Sequence, residues 1–193
     1  DSRELFAPFK IAQDPSFEKH LNQYNVIRIN MVDYMQRFPS VKEVLDYLSK
    51  RLLHELRGEF GDVDCFDWDD LLSVLEDVYA ARRIPFIFVI DEWDCMFRMK
   101  QFNVDDQVTY LNFLRNILKD KSYVALAYMT GILPIKKYGE HSALNMFTEI
   151  SMTYAEPYSR FTGFTEAEML ALCGQYHKDY TEMKLWYVGY CVD

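Results

Sequence analysis

Asp91 and Glu92 are the residues of this 193-residue chain best placed to do chemistry. They end the run Ile84-Pro85-Phe86-Ile87-Phe88-Val89-Ile90 and are followed by Trp93-Asp94. A continuous apolar run of this length reads as a strand buried on both faces, as in a parallel sheet. In open α/β sheets, ligands bind outside the carboxyl ends of the strands. The two carboxylates therefore stand where a bound ligand is expected. The plain alternative is a pair of acids opening an ordinary surface loop.

A hydrophobic strand ending in Asp-Glu is the Walker B pattern of nucleotide hydrolases. The Asp there helps to hold Mg²⁺ and the Glu polarises the attacking water. Other arrangements of reactive residues fail on spacing. Asp62, Asp64, Asp67, Asp69 and Asp70 suggest a calcium loop. Counting from Asp62, however, puts Phe66 at the fifth position, Asp67 where glycine is required and Ser73 where the bidentate Glu belongs. His54-Glu55 has Gly58 in place of the second histidine of a zinc-protease helix. His20, His54, His141 and His177 show no ligand spacing, and there is neither a Gly-x-Ser-x-Gly elbow nor a Gly-x-Gly-x-x-Gly loop. Glu182-Met183-Lys184 has the Glu-x-Lys order of a nuclease, but no Pro-Asp precedes it on a strand.

The elements that must position the acids follow from periodicity. Asp14-Pro15 starts a short helix to about Gln23, and residues 25–31 read as a strand. Ser40-Val41-Lys42-Glu43 is a capping box opening an amphipathic helix that carries Val41, Val44, Leu45, Leu48, Leu52 and Leu56. Asp67 is expected to cap the next helix, with Trp68, Leu71, Leu72, Leu75, Val78 and Tyr79. After the acids, a helix carries Val108, Leu111, Leu114, Ile117 and Leu118. A second buried strand, 122–129, ends at Thr130-Gly131. A short strand is expected over 148–152, a capped helix from Thr165 to about Tyr176, and a last helix over 181–187. Strands alternating with helices imply a parallel sheet. The division expected is an α/β core over 1–155 and a small helical segment over 156–193.

Composition narrows the class. Half of the residues are hydrophobic and 16% are aromatic, enough for a core. The net charge of −9 disfavours a broad nucleic-acid surface, and no stretch is long and apolar enough to span a membrane. Cys65, Cys95, Cys173 and Cys191 are widely spaced, which fits reduced thiols and a cytoplasmic location.

Three segments in order carry a family resemblance: Ile90-Asp91-Glu92-Trp93-Asp94, Met129-Thr130-Gly131-Ile132, and Tyr158-Ser159-Arg160-Phe161-Thr162-Gly163-Phe164-Thr165-Glu166. With Ser2-Arg3-Glu4-Leu5-Phe6 and Trp186-Tyr187-Val188-Gly189-Tyr190 at the two ends, the chain resembles the predicted AAA-ATPase-like family of bacteria and archaea. The resemblance implies a P-loop NTPase-type sheet, ATP and Mg²⁺ as ligands, and hydrolysis that drives a conformational change. It implies that Asp91 coordinates Mg²⁺ through water, Glu92 orients the hydrolytic water, Thr130 lies near the γ-phosphate and Asp94 supports the acids. Lys136 and Lys137 could face phosphates, although such lysines are usually solvated surface residues. Arg98, Arg115 and Arg160 are three candidates for an arginine finger. The family often carries a PD-(D/E)XK nuclease-like domain after this one, so such a domain is a candidate partner in the parent protein.

The chain departs from the family twice. Val188 stands where an acid is common, and none of the seven glycines precedes a lysine, so the phosphate loop Gly-x-x-x-x-Gly-Lys-[Ser/Thr] is expected upstream of Asp1. The chain alone is then expected to be a poor ATPase, with residues 123–129 left as an unpaired edge. The alternative function is a non-enzymatic nucleotide-sensing or protein-interaction module.

Overall fold

The computed structural model describes residues 2–134, 145–151, 157–161 and 163–187. They form two compact units, Asp1–Met146 and Phe147–Asp193. This boundary falls nine residues before the expected one at 155.

The first unit is an α/β fold. Its three strands, β1 (Asn25–Asn30), β2 (Phe86–Asp91) and β3 (Val124–Met129), are all parallel, in the order β1-β2-β3. The helices are α1 (Arg3–Phe6), α2 (Phe17–His20), α3 (Met31–Met35), α4 (Val41–Phe60), α5 (Leu71–Arg82), α6 (Cys95–Arg98) and α7 (Val104–Leu118). The crossovers between strands hold helices α3, α4 and α5, then α6 and α7, as parallel pairing requires.

Local signals explain most boundaries. The Ser40 hydroxyl accepts from the Glu43 amide and starts α4, which buries the whole expected stripe from Val41 to Leu56. Asn30 ends β1 because its side chain accepts from the Val32 amide, so Met31 begins α3 instead of closing the strand. Asp70, not Asp67, caps α5: its carboxylate takes the Ser73 amide, while Asp67 folds an Asx turn onto the Asp69 amide. Asn103 and Asp106 make a reciprocal capping box on α7. The helix expected after Pro15 is a single turn. On α7, Tyr110 is buried where Val108 had been placed in the core, and Val108 is exposed.

The core lies on one face of the sheet. Ile27, Ile29, Phe86, Phe88 and Ile90 are buried with Tyr123, Leu75, Leu48 and Leu114. Burying each large apolar side chain is worth about 1.5–3 kcal/mol. The other face is uncovered among the described residues: Leu126 is 52% exposed and Tyr128 57% exposed. As a result β2 alternates buried and half-buried positions instead of being buried on both faces. The outer edge of β3 has no partner strand among the described residues.

The second unit carries α8 (Glu166–Gln175) and α9 (Tyr180–Tyr187) after a turn of 3-10 helix at Ser159–Phe161. Thr165 and Glu168 form the expected capping box. Of the strand expected over 148–152, Ser151 makes an isolated bridge, residues 148–150 are irregular and Met152 lies outside the described residues. No described helix is long and apolar enough to cross a membrane.

Candidate functional site

Parallel pairing brings the carboxyl ends of the three strands to one edge. Asn30 pairs with Asp91, and Ile90 pairs with Met129, so Thr130 follows β3 directly beside Asp91. The Thr130 hydroxyl donates to Asp91 Oδ1, which also accepts from the Glu92 amide at 3.0 Å. Two donors on one oxygen fix the carboxylate and leave Oδ2 for a ligand. Backbone bonds tie the strand ends together: the Thr130 amide donates to the Ile90 carbonyl and the Trp93 amide to the Thr130 carbonyl, both at 3.0 Å.

Glu92 breaks the strand. Its φ is +53°, a left-handed conformation that costs a side-chain-bearing residue about 1–2 kcal/mol. The bond from the Cys95 amide to the Glu92 carbonyl, at 3.0 Å, holds this turn and leads into α6. The turn carries the Glu92 carboxylate off the strand line, with 36% of its side chain exposed. Strained backbone of this kind concentrates at functional sites.

Asp94 does not face solvent at all. It is 0% exposed; its Oδ2 accepts from the Leu133 amide at 2.8 Å and the Ile132 amide at 3.2 Å, and forms an ion pair with Arg98 Nε at 3.3 Å. Its Oδ1 is buried without a hydrogen-bond partner. Asp94 thus clasps the loop after β3 to the turn after β2. Gly131 is required by this contact: a Cβ there would stand 2.6 Å from Asp94 Oδ1 and 2.8 Å from Cδ1 and Nε1 of Trp93.

Below the acids the turn rests on a buried base. Tyr110 donates its hydroxyl to the Trp93 carbonyl at 2.8 Å, and the Trp93 ring packs edge-on to Phe97 at 5.5 Å. Burial, reinforced by the Asp94 carboxylate nearby, pushes the Tyr110 hydroxyl well above its ordinary pKa, so it remains a donor. Burial also raises the Cys95 thiol to about 11; Arg98 opposes that shift, and Asp94 and Glu92 reinforce it. Cys95 is therefore a protonated core residue, not a nucleophile.

Arg98, the last residue of α6, makes ion pairs with both Glu92 and Asp94. Desolvation pulls its guanidinium pKa down, but the bond to Glu92 and the two carboxylate charges outweigh this and raise it. Arg115 lies elsewhere, in the last turn of α7 near the start of β3. There it lines a groove of about 340 Å³ with Leu72, Lys119 and Lys121, at the opposite end of the strand from Thr130. Lys136, Lys137 and the Arg160 side chain lie outside the described residues.

The structure thus joins Asp91, Glu92, Asp94, Thr130 and Arg98 at one strand edge. Tyr110, Trp93 and Gly131 complete the support, and their support roles had no local signal. Among the described residues, no group of three or more His, Cys, Asp or Glu side chains could by itself hold a metal ion. One oriented carboxylate still fits Mg²⁺, which keeps several waters and takes its other oxygens from phosphates.

No curated protein and no solved structure matches the chain. The family model of the predicted AAA-ATPases matches residues 1–139, the stretch that holds all three strands and both acids. On that match, which covers well over half of its length, the chain belongs to the predicted AAA-ATPase family.

Proposed function

We propose that the first unit is the hydrolytic half of an ATP site whose turnover drives a conformational change. The observation that carries this reading is the Thr130–Asp91 bond at the carboxyl ends of adjacent parallel strands, with Glu92 turned outward beside it. In this reading Asp91 holds Mg²⁺ through water and Thr130 orients Asp91 next to the γ-phosphate. Glu92 positions the attacking water, and Asp94 acts on the site only through the loop and Arg98. Bound Mg²⁺ would supply charge neutralisation on the phosphate oxygens. Lys136 is the phosphate-binding lysine of this reading. A glycine-rich phosphate loop, which this chain's sequence does not contain, comes from a strand that docks on the open edge of β3. A nuclease-like domain downstream and a cytoplasmic location belong to the same proposal for the parent protein.

One observation favours the nucleotide-sensing alternative: the Glu92 carboxylate is already engaged by Arg98. The two readings separate in the full-length protein by equilibrium binding of Mg-ATP and steady-state hydrolysis. Glu92→Gln keeps size and hydrogen bonding and removes the charge. It should retain ATP binding and lower turnover by roughly two or more orders of magnitude, as expected for a positioned catalytic group. Asp91→Asn should instead weaken Mg-ATP binding. Binding without turnover in the unaltered protein assigns the sensing module, and unchanged turnover in Glu92→Gln removes Glu92 from the mechanism.

A further inference from the structure

Phe66 is the most exposed large apolar side chain among the described residues, at 94%, yet its loop is firmly held. Val63 and Cys65 just before it are buried. The Phe66 amide donates to Asp77 Oδ2 at 2.9 Å, Asp67 takes the Asp69 amide at 2.8 Å, and Asp62 pairs with Arg82. A loop already ordered loses little freedom when a partner covers it. The Asp64 and Asp69 carboxylates take no part in these bonds, and both residues are exposed on either side of the ring in sequence. An aromatic side chain rimmed by charge is the anatomy of an interface centre.

The groove of about 340 Å³ at the end of α7 has the complementary chemistry. Arg115, Lys119 and Lys121 line it together with Leu72. The aliphatic stems of such cations offer apolar surface to a ring, and their heads favour its face. The groove lies at the carbonyl end of α7 and includes Asp120. Both features disfavour a compact phosphate, which binds best at the amide end of a helix. Separate carboxylates around a ring can meet the cations one by one. Loop and groove flank the same helix: Glu76 of α5 pairs with Lys121 at 2.8 Å, and the next residue, Asp77, holds the Phe66 amide. Successive helical residues point about 100° apart. Knob and socket therefore lie side by side, separated by about one helix diameter, roughly 10 Å.

We propose that this face pairs two copies of the chain across a two-fold axis. Phe66 of each copy enters the other's groove beside Leu72, and Asp64 and Asp69 meet Arg115 and Lys119. A knob and a socket side by side on one surface satisfy each other twice across such an axis. The pairing does not depend on the ATPase reading, since the groove lies at the opposite end of β3 from Thr130.

The test is a charge exchange in the full-length protein, read by analytical ultracentrifugation over a concentration series. The unaltered protein should dimerise reversibly. Phe66→Ser should weaken the dimer at least about thirty-fold, as for loss of a central aromatic anchor. Asp64→Lys with Asp69→Lys forms one reversed variant, and Arg115→Glu with Lys119→Glu the other. Each alone should weaken the dimer about ten-fold or more by setting like charges opposite one another. An equimolar mixture of the two should recover an affinity within roughly three-fold of the unaltered protein, because both contacts are again complementary. The melting temperature of each variant checks its fold, and a variant that fails to fold is replaced by Asp64→Lys or Arg115→Glu alone in the same mixture. A protein still monomeric at about 0.5 mM overturns the proposal. So does an assembly indifferent to Phe66→Ser, or a mixture that recovers nothing. Growth beyond two copies through these residues overturns the two-fold arrangement, since a head-to-tail contact does not close at two.

Discussion

Two buried tyrosines allow the support of the acid turn to be separated from simple stability. Tyr110 donates to the Trp93 carbonyl at 2.8 Å, directly under Glu92, and Tyr123 donates to the Ile117 carbonyl at 2.8 Å, at the start of β3 and so at the far end of the sheet. Both side chains are fully buried. Tyr→Phe at either position keeps the ring packing and removes one buried donor, leaving a carbonyl without that partner. The cost of such a change is about 1–3 kcal/mol. For a unit of this size each kcal/mol lowers the melting midpoint by about 2–4 °C. Tyr110→Phe and Tyr123→Phe should therefore lose similar stability, measured by chemical denaturation with an unchanged denaturant slope. They should differ in function. Only Tyr110→Phe loosens the Trp93 carbonyl, and with it the turn that holds Glu92 at φ +53°. It should lower turnover in the full-length protein by about ten-fold with nucleotide affinity little changed, while Tyr123→Phe leaves turnover near that of the unaltered protein. Equal turnover in the two variants would refute the claim that Tyr110 positions the acid turn.

Two further outcomes follow from the same geometry. Gly131→Ala drives a Cβ against Asp94 Oδ1 and the Trp93 ring and should cost about 1–3 kcal/mol by overpacking, seen as a lower melting temperature. No loss would show that the Asp94 clasp yields freely. The Cys95 thiol, raised from 9.0 to about 11, stays protonated in the folded protein when it would ionise in the unfolded one. Its contribution is fully present below pH 9 and is lost as pH rises toward 11, by about 2–3 kcal/mol. Stability measured across that window should fall less in Cys95→Ala than in the unaltered protein, and parallel curves would contradict it.

Residue type and spacing were enough to place Asp91 and Glu92 at the end of a strand, because an apolar run stopping at two acids is a local pattern. They were also enough to start α4 at Ser40 and α8 at Thr165, since a capping box spans a single turn. The apolar stripe from Val41 to Leu56 is buried as its 3.6-residue period requires. Local patterns misled where several residues competed for one role. Asp67 and Asp70 are both credible caps, and only the path of the loop into α5 selects Asp70. Val108 and Tyr110 both lie near the apolar stripe of α7, and the tyrosine is the one buried, where its hydroxyl reaches Trp93.

The tertiary structure decided what the acids face. Thr130 meets Asp91 across 39 residues of sequence because β2 and β3 pair in parallel with Ile90 opposite Met129, a register that no stretch of either strand encodes alone. Asp94 reads in sequence as one more acid of the site. The fold buries it instead, because the loop at Ile132 and Leu133 turns its amides inward. Arg98 could not be told from Arg115 by type, yet one lies on Glu92 and the other at the opposite end of β3. Periodicity and capping act within a turn or two of chain and so are legible in sequence. Register, burial of a charge and the partner of a long cationic side chain depend on which distant segments share a surface, and only the folded chain settles them.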